Sequence, residues 1–229
     1  MSCNVSIVLL PTYLNQNGVG ENNLFRFHNK IRNSAAAAFE PTFFSAEEWK
    51  TLCAIVDRLI PADEHGPSAT EAGVPEFLDR QMELPYGYGA WYYMEGPFHP
   101  EAEANFGYQQ AYSPRQFYRL GLAGVDKVAV KQSGRIFAKL DGPAQDAILC
   151  QFESDDPGVA EWPTSAFFDM LLQNVHEGYF SDPMYGGNRD MTAWKMIGFP
   201  GARADFTDWI DRPGTPYPYG PVSLEGRSA

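Results

Sequence analysis

The sequence has few of the features that would mark a membrane-spanning or nucleic-acid-binding protein. Its longest apolar run near the start, Val5 to Pro11, is far shorter than the roughly 20 residues that a transmembrane helix needs. Of its 229 residues, 29 are acidic and 17 are basic, which gives a net charge of −12. No cluster of lysine and arginine offsets this charge, so a phosphate backbone would be repelled. We therefore expect a soluble chain with no membrane span of its own and no nucleic-acid partner.

Motifs that hold common cofactors are also missing from the sequence. The glycines form neither the G-x-G-x-x-G fingerprint of dinucleotide-binding folds nor the phosphate loop G-x-x-x-x-G-K-[ST]. There is no G-x-S-x-G elbow of a serine hydrolase and no C-x-x-C-H for covalent haem. The four histidines occur singly, without the close spacing of a metal site; they are His28, His65, His99 and His176. We expect this chain to hold no flavin, haem or metal itself.

One group remains as a candidate for acid–base chemistry, namely His176 with Glu177 and Asp182. We predict His176 at the C-terminal end of a helix, where a protonated imidazole meets the negative end of the helix dipole. The same position suits a structural role, in which the histidine steadies the turn into Gly178. We favour the structural role and keep a stand-alone hydrolase as an alternative. We interpret Asp63–His65, which carries two carboxylates and a histidine, as an exposed turn.

Apolar residues recur at helical spacing, and no stretch alternates with the period of a strand. The helices are predicted to begin at Ser45, near Pro75, after Ser113, after Asp141 and at Pro163. The last of them is predicted to end at Glu177. Gly121 and Gly124 share the apolar stripe of the third helix, which indicates a close helix crossing. The sequence thus predicts a single all-α domain of about five helices over 41–201, with an N-terminal arm at 1–40 and an extended C-terminal tail at 202–229.

Aromatic residues concentrate between these helices, in stretches rich in glycine and proline. The first aromatic region is Leu84 to Tyr112, and the second is His176 to Gly201, where we expect no regular helix to persist. In the tail, Thr215 to Pro221 alternates proline with tyrosine, which favours an extended segment. Aromatic side chains are enriched at protein interfaces, although these loops could instead cover the chain's own helices. We predict an interface formed by Trp91, Tyr92, Tyr179, Phe180, Tyr185, Trp194, Phe199, Tyr217 and Tyr219.

Three motifs, in this order along the chain, carry a family resemblance. Gly96-Pro97-Phe98, Gly107-Tyr108-Gln109 and Tyr118-Arg119-Leu120-Gly121-Leu122, taken with the second aromatic region, resemble the gluconate 2-dehydrogenase subunit 3 family over roughly Phe43 to Gly201. Similar small subunits accompany bacterial sorbitol, fructose and glucose dehydrogenases.

The resemblance implies a non-catalytic subunit of a periplasmic dehydrogenase complex associated with the inner membrane. A large FAD-containing catalytic subunit and a multihaem cytochrome c subunit would carry the cofactors. The small subunit would support maturation, export and stability of the flavoprotein. Besides the hydrolase, the remaining alternative is an exported module that binds sugars with its aromatic loops.

The three cysteines, Cys3, Cys53 and Cys150, make an odd number. Cys53 lies on the apolar stripe of the first helix, so we expect it to be buried. Cys150 lies well away from the stripe of its helix and is predicted to face outward. In the oxidising periplasm that the resemblance implies, we predict a disulfide between Cys150 and the catalytic subunit. A free thiol and an intrachain Cys53–Cys150 bridge are the alternatives.

Overall fold

The computed structural model describes residues 39–155 and 160–226, and we describe the fold of the unit Pro41–Ala229. The arm predicted at 1–40, including Cys3, lies outside the described residues except for its last two positions. The described residues form six α-helices: α1 (Ala46–Leu59), α2 (Val74–Met82), α3 (Pro114–Ser133), α4 (Gly142–Glu153), α5 (Thr164–Phe180) and α6 (Thr192–Ile197). They contain no strand, and the predicted all-α domain is confirmed.

Three of the helices, α1, α3 and α4, begin where capping residues satisfy their first backbone donors. At α1, the Ser45 backbone N–H donates to the Glu48 carboxylate over 2.8 Å, and the Glu48 N–H donates to the Ser45 hydroxyl over 3.3 Å. At α4, the Asp141 carboxylate accepts from the Ala144 N–H over 3.0 Å. Ser113 is the N-cap of α3. These local patterns are why the starts of the helices could be predicted from the sequence.

The core forms where α5 packs against α2, α3 and α4, while α1 closes the other side. At the crossing of α3 and α5, Gly121 lies directly against the ring of Phe167, and a Cβ there would come within 2.3 Å of it. Gly124 lies less closely against Trp162 and Phe152 of α4, where a Cβ would come within 3.1 and 3.4 Å. The close crossing predicted from these two glycines is confirmed. The largest fully buried side chains include Phe117, Tyr118, Phe137, Phe152, Phe167 and Leu171.

A buried carboxylate ties the approach to α1 onto α2. Asp79 is 0% exposed, and its two oxygens accept from the backbone N–H groups of Thr42, Phe43 and Phe44 over 2.8–3.0 Å. The Thr42 hydroxyl donates to the same carboxylate over 3.0 Å. Four donors on one buried group hold this segment in place, because a buried charge is stable only when it is hydrogen-bonded.

The helix α5 is longer than predicted, because it continues past Glu177 to Phe180. Gly178 lies inside the helix rather than in a turn, and it faces Phe77 of α2. A Cβ at Gly178 would come within 2.7 Å of the Phe77 ring, so the helix pair needs glycine for its small size. The predicted turn at Gly178 is therefore wrong, and His176 lies in the last full turn of the helix with helical residues on both sides.

The end of the C-terminal segment 202–226 returns to the helical body. A parallel bridge pairs Gly201 with Val222, and the Ala202 N–H donates to the Val222 carbonyl over 2.7 Å. The Leu224 N–H then donates to the Asp182 carboxylate over 2.7 Å. None of the helices described here combines the length and the apolar character that crossing a bilayer requires.

Candidate partner interface

The nine aromatic residues predicted as an interface differ widely in exposure. Tyr179 and Trp194 are buried within this chain, at 3% and 6% exposure. Tyr92 and Tyr217 are half-buried. The other five reach the surface: Phe180, Tyr185 and Phe199 at 38–39%, and Trp91 and Tyr219 at 62%. The set thus contains two side chains that pack inside the protein and five that present apolar surface; its role as an interface stays a prediction.

The two buried rings hold the second aromatic region against the helices. The Trp194 indole Nε1 donates to the Phe180 carbonyl over 2.8 Å, and its ring meets Phe199 edge to face at 5.1 Å. The Tyr179 hydroxyl donates to the Pro67 carbonyl over 2.8 Å. Because Trp194 lies on α6, the expectation that no helix persists in this region is wrong. The short helix forms because it buries this indole.

Asn188, which the sequence reasoning missed, fixes the turn between α5 and α6. Its side chain is 0% exposed, donates to the Ser181 carbonyl over 2.9 Å and accepts from the Ala193 N–H over 2.9 Å. Its φ is +45°, and two later residues, Asp190 and Met191, also have positive φ, at +56° and +54°. Such strain in non-glycine residues persists only where surrounding contacts enforce it. The sequence offered one signal for this turn, because asparagine adopts positive φ more readily than most residues.

Around this framework the protein presents the 180–199 patch, a set of exposed apolar side chains. Its members are Phe180, Tyr185, Met196, Ile197 and Phe199. Ile197 is the most exposed of them, at 56%. Trp194 and Asn188 bond to the backbone at Phe180, Ser181 and Ala193, so the backbone that carries these side chains is held in place.

The first aromatic region presents a second exposed set, the 88–106 patch, which consists of Tyr88, Trp91, Tyr93 and Phe106. Beneath it, the Asn174 amide of α5 donates to the Tyr86 hydroxyl over 2.8 Å and to the Tyr118 hydroxyl over 3.1 Å. Burial raises the pKa of both tyrosines, so they act as neutral hydrogen-bonding groups. The Trp91 ring lies 5.9 Å from Tyr86. One exposed ring of the patch, that of Trp91, thus packs on a hydrogen-bonded network that reaches the core.

The C-terminal segment forms its own aromatic cluster around Arg203. The Arg203 guanidinium lies 5.4 Å from the Tyr217 ring and 5.7 Å from the Tyr219 ring, and it donates to the Gly220 carbonyl over 2.7 Å. Trp209 packs against Tyr217 at 5.4 Å. Two buried donors, Arg203 Nε and Trp209 Nε1, find no acceptor among the described residues. A buried N–H without an acceptor is costly, so these two donors lower the stability of the cluster.

The acid–base group proposed from the sequence is not assembled. The Asp182 carboxylate accepts from the Met184 and Leu224 N–H groups, and Glu177 accepts from the Gln173 amide over 2.8 Å. His176 instead lines an open cavity of about 510 Å³ together with His65 and Asp63, which the sequence reasoning treated separately.

The Asp63 carboxylate in that cavity accepts from the backbone of His65 and Gly66, as expected for an exposed turn. Within the described ranges, no cluster of three or more His, Cys, Asp or Glu residues has the arrangement of a metal site.

The two cysteines within the described ranges are free thiols in distinct environments. Cys150 is exposed, as predicted. Cys53 is only half-buried, and burial with the nearby Asp57 carboxylate raises the pKa of its thiol to about 11. The structure has no disulfide between Cys53 and Cys150, which was the intrachain alternative.

Comparison of the sequence with models of known protein families identifies the family of this chain. A family model described as gluconate 2-dehydrogenase subunit 3 matches residues 46–201. The chain belongs to the gluconate 2-dehydrogenase subunit 3 family. The predicted resemblance is therefore confirmed, and the family is that of a subunit of a dehydrogenase complex. A search of curated proteins and a search of solved structures each found no match.

The subunit 3 match extends from the start of α1 to Gly201. It includes the 180–199 patch, the 88–106 patch and Cys150, so these features lie in the part of the chain that defines the family. The Arg203 cluster lies beyond the match, and with it Tyr217 and Tyr219.

Proposed function

We propose that this subunit 3 protein is a non-catalytic small subunit of a bacterial periplasmic complex that oxidises a sugar, a sugar acid or a polyol. In this complex it contacts a large FAD-containing catalytic subunit, while a multihaem cytochrome c subunit receives the electrons at the inner membrane. Its role is to support maturation, export and stability of the flavoprotein. The family match over 46–201 is the observation that carries the proposal.

Exposed aromatic surface supports a role in assembly. Large apolar side chains on a surface mark interaction sites when they occur together, and tyrosine, tryptophan and phenylalanine are enriched at interfaces. The 180–199 patch is the primary contact in this proposal, because its side chains extend from backbone that Trp194 and Asn188 hold rigid. A backbone that is already fixed loses little conformational entropy when a partner binds.

The exposed tyrosine of the Arg203 cluster supports a contact by the C-terminal segment. The Tyr219 ring is 62% exposed, and the Arg203 guanidinium lies 5.7 Å from it. Tyrosine is among the residues that are enriched at protein interfaces.

Cys150 provides a covalent link in the same proposal. Its exposed thiol lies on α4, and an oxidising periplasm allows it to form a disulfide with a cysteine of the catalytic subunit. Non-reducing electrophoresis of the native complex tests this bond. Migration of the chain at its own mass of 25.6 kDa without reductant would contradict it.

Purification from the native host tests the proposed function as a whole. We expect the tagged full-length chain to co-purify from the membrane fraction with flavin and haem absorbance and with sugar-dependent reduction of a dye. After the subunits are separated, this chain should carry neither flavin, haem nor a stoichiometric metal. A chain that purifies alone with catalytic turnover would instead support the hydrolase alternative.

Surface variants identify the contact face. Ile197→Ser in the 180–199 patch should weaken binding of the flavoprotein by about 2 kcal/mol, or roughly 30-fold in Kd, if it removes an interface anchor. Val130→Ala is the matched control, because Val130 is a 49% exposed apolar residue on α3 outside the patches. Equal binding by both variants would exclude the 180–199 patch as the contact.

A further inference from the structure

A groove lined in part by Tyr92 of the predicted interface lies between the first aromatic region and α5. Its volume is about 410 Å³, within the range of about 300–1,000 Å³ that is typical of small-molecule sites. Tyr92 and Tyr108, whose rings stack at 4.2 Å, contribute aromatic surface to its lining. The Tyr108 hydroxyl donates to the Tyr112 carbonyl over 2.5 Å, so this ring is held in position.

Four amide side chains line the groove: those of Gln109, Gln110, Gln173 and Asn174. Gln109 donates through Nε2 to the Phe106 carbonyl over 3.1 Å, and Gln173 donates through Nε2 to Glu177. Each amide therefore keeps its carbonyl oxygen available while its orientation is set. The side chains of Gln110 and Asp169 make no hydrogen bond to any residue in the described ranges. The groove thus combines oriented acceptors with free amide and carboxylate groups.

The charge of the groove selects among possible ligands. The described residues that line it include no lysine, arginine or histidine, and Asp169 is its single charged group. Glu177 lies close enough that its carboxylate, together with burial, raises the pKa of Tyr92. An anionic ligand would meet the Asp169 carboxylate and no cation among these lining residues, which is unfavourable. A neutral ligand with many hydroxyl groups avoids this repulsion.

We propose that this groove binds a neutral sugar or polyol. Hydroxyl groups both donate and accept, as do the amides of Gln109, Gln110 and Gln173, and the C–H face of a sugar packs against aromatic rings such as Tyr108. A sugar acid, whose carboxylate is ionised at neutral pH, is disfavoured by repulsion from Asp169. The inference concerns this chain alone and does not depend on the proposed flavoprotein partner.

Titration of the full chain with sorbitol, glucose and sodium gluconate tests the proposal, by calorimetry and by saturation-transfer NMR. We expect sorbitol or glucose to bind and gluconate to bind at least tenfold more weakly. Gln110→Ala and Asp169→Ala should each weaken the neutral ligand about fivefold, the effect of one lost hydrogen bond. Neither side chain has an intrachain hydrogen bond to lose among the described residues, so both variants should fold normally.

Gln132→Ala is the matched control, since Gln132 pairs with Gln151 on the surface of α3 and α4, away from the groove. Its affinity for the neutral ligand should equal that of the natural sequence. The proposal is overturned if neither neutral ligand binds, if gluconate binds as well as they do, or if the control weakens binding as much as the groove variants.

Discussion

Trp194→Ala would show whether the second aromatic region is held from inside the protein. The substitution removes an indole that is 6% exposed, together with its 2.8 Å hydrogen bond to the Phe180 carbonyl and its edge contact with Phe199. It leaves a cavity beneath the 180–199 patch. We expect α6 to lose its attachment to the end of α5.

The magnitude follows from the burial of the ring. An aromatic side chain buries about 150–250 Å², which at about 25 cal/mol per Å² corresponds to about 4–6 kcal/mol. Measured truncations of buried aromatic residues to alanine cost about 3–5 kcal/mol. We therefore expect Trp194→Ala to lower the free energy of unfolding by about 4 kcal/mol, a large part of the roughly 5–15 kcal/mol of an ordinary domain.

Urea unfolding of the full chain measures this loss, with Trp91→Ala as the control. Trp91 is 62% exposed, so its truncation should change the free energy of unfolding by no more than about 0.5 kcal/mol. The m-values of the two variants should agree with that of the natural sequence, because the same surface is exposed on unfolding. The reasoning is refuted if Trp194→Ala costs less than about 1 kcal/mol, or if the two tryptophans cost the same.

Three further predictions concern buried and half-buried polar groups. Asp79→Asn should lower the free energy of unfolding in urea by about 3 kcal/mol, because an amide cannot accept from all four donors. Asp63→Asn, in an exposed turn, should lower it by less than about 1 kcal/mol. Similar losses for the two variants would contradict this reasoning. Iodoacetamide should modify Cys150 well before Cys53, whose thiol has its pKa raised to about 11, and peptide mass spectrometry that found the reverse order would refute it. Burial raises the pKa of Glu177, so the ionisation of this carboxyl opposes folding as pH rises through its pKa. Glu177→Gln should therefore raise Tm at pH 7 but not below about pH 4. A lower Tm of this variant at pH 7 would contradict a raised pKa at Glu177.

Local patterns in the sequence determined the helical class and the starts of the helices. The pairing of Ser45 with Glu48 and the position of Asp141 before Ala144 act within one turn of chain, so they can be identified without tertiary contacts. The same holds for the glycine stripe of α3, since helical spacing alone placed Gly121 and Gly124 on the apolar face.

Contacts between distant residues decided where α5 ends and why α6 exists. Gly178 was predicted in a turn, yet it lies in α5, where the lack of a side chain lets this helix pack against Phe77 of α2. The left-handed turn at Asn188 depends on partners at Ser181 and Ala193 that only the folded chain brings together. Secondary-structure propensity does not predict such positions, because tertiary packing overrides it.

The sequence by itself determined that aromatic residues collect in two loop regions and a tail, and that Cys150 faces outward. Only the tertiary structure decided which rings are free to meet a partner. Tyr179 and Trp194 are buried by the chain's own helices, while Phe199 and Tyr219 remain exposed. The physical reason is that burial depends on which surfaces pack together across the fold. The amino-acid composition gives the number of aromatic rings but not which of them are buried and which are exposed.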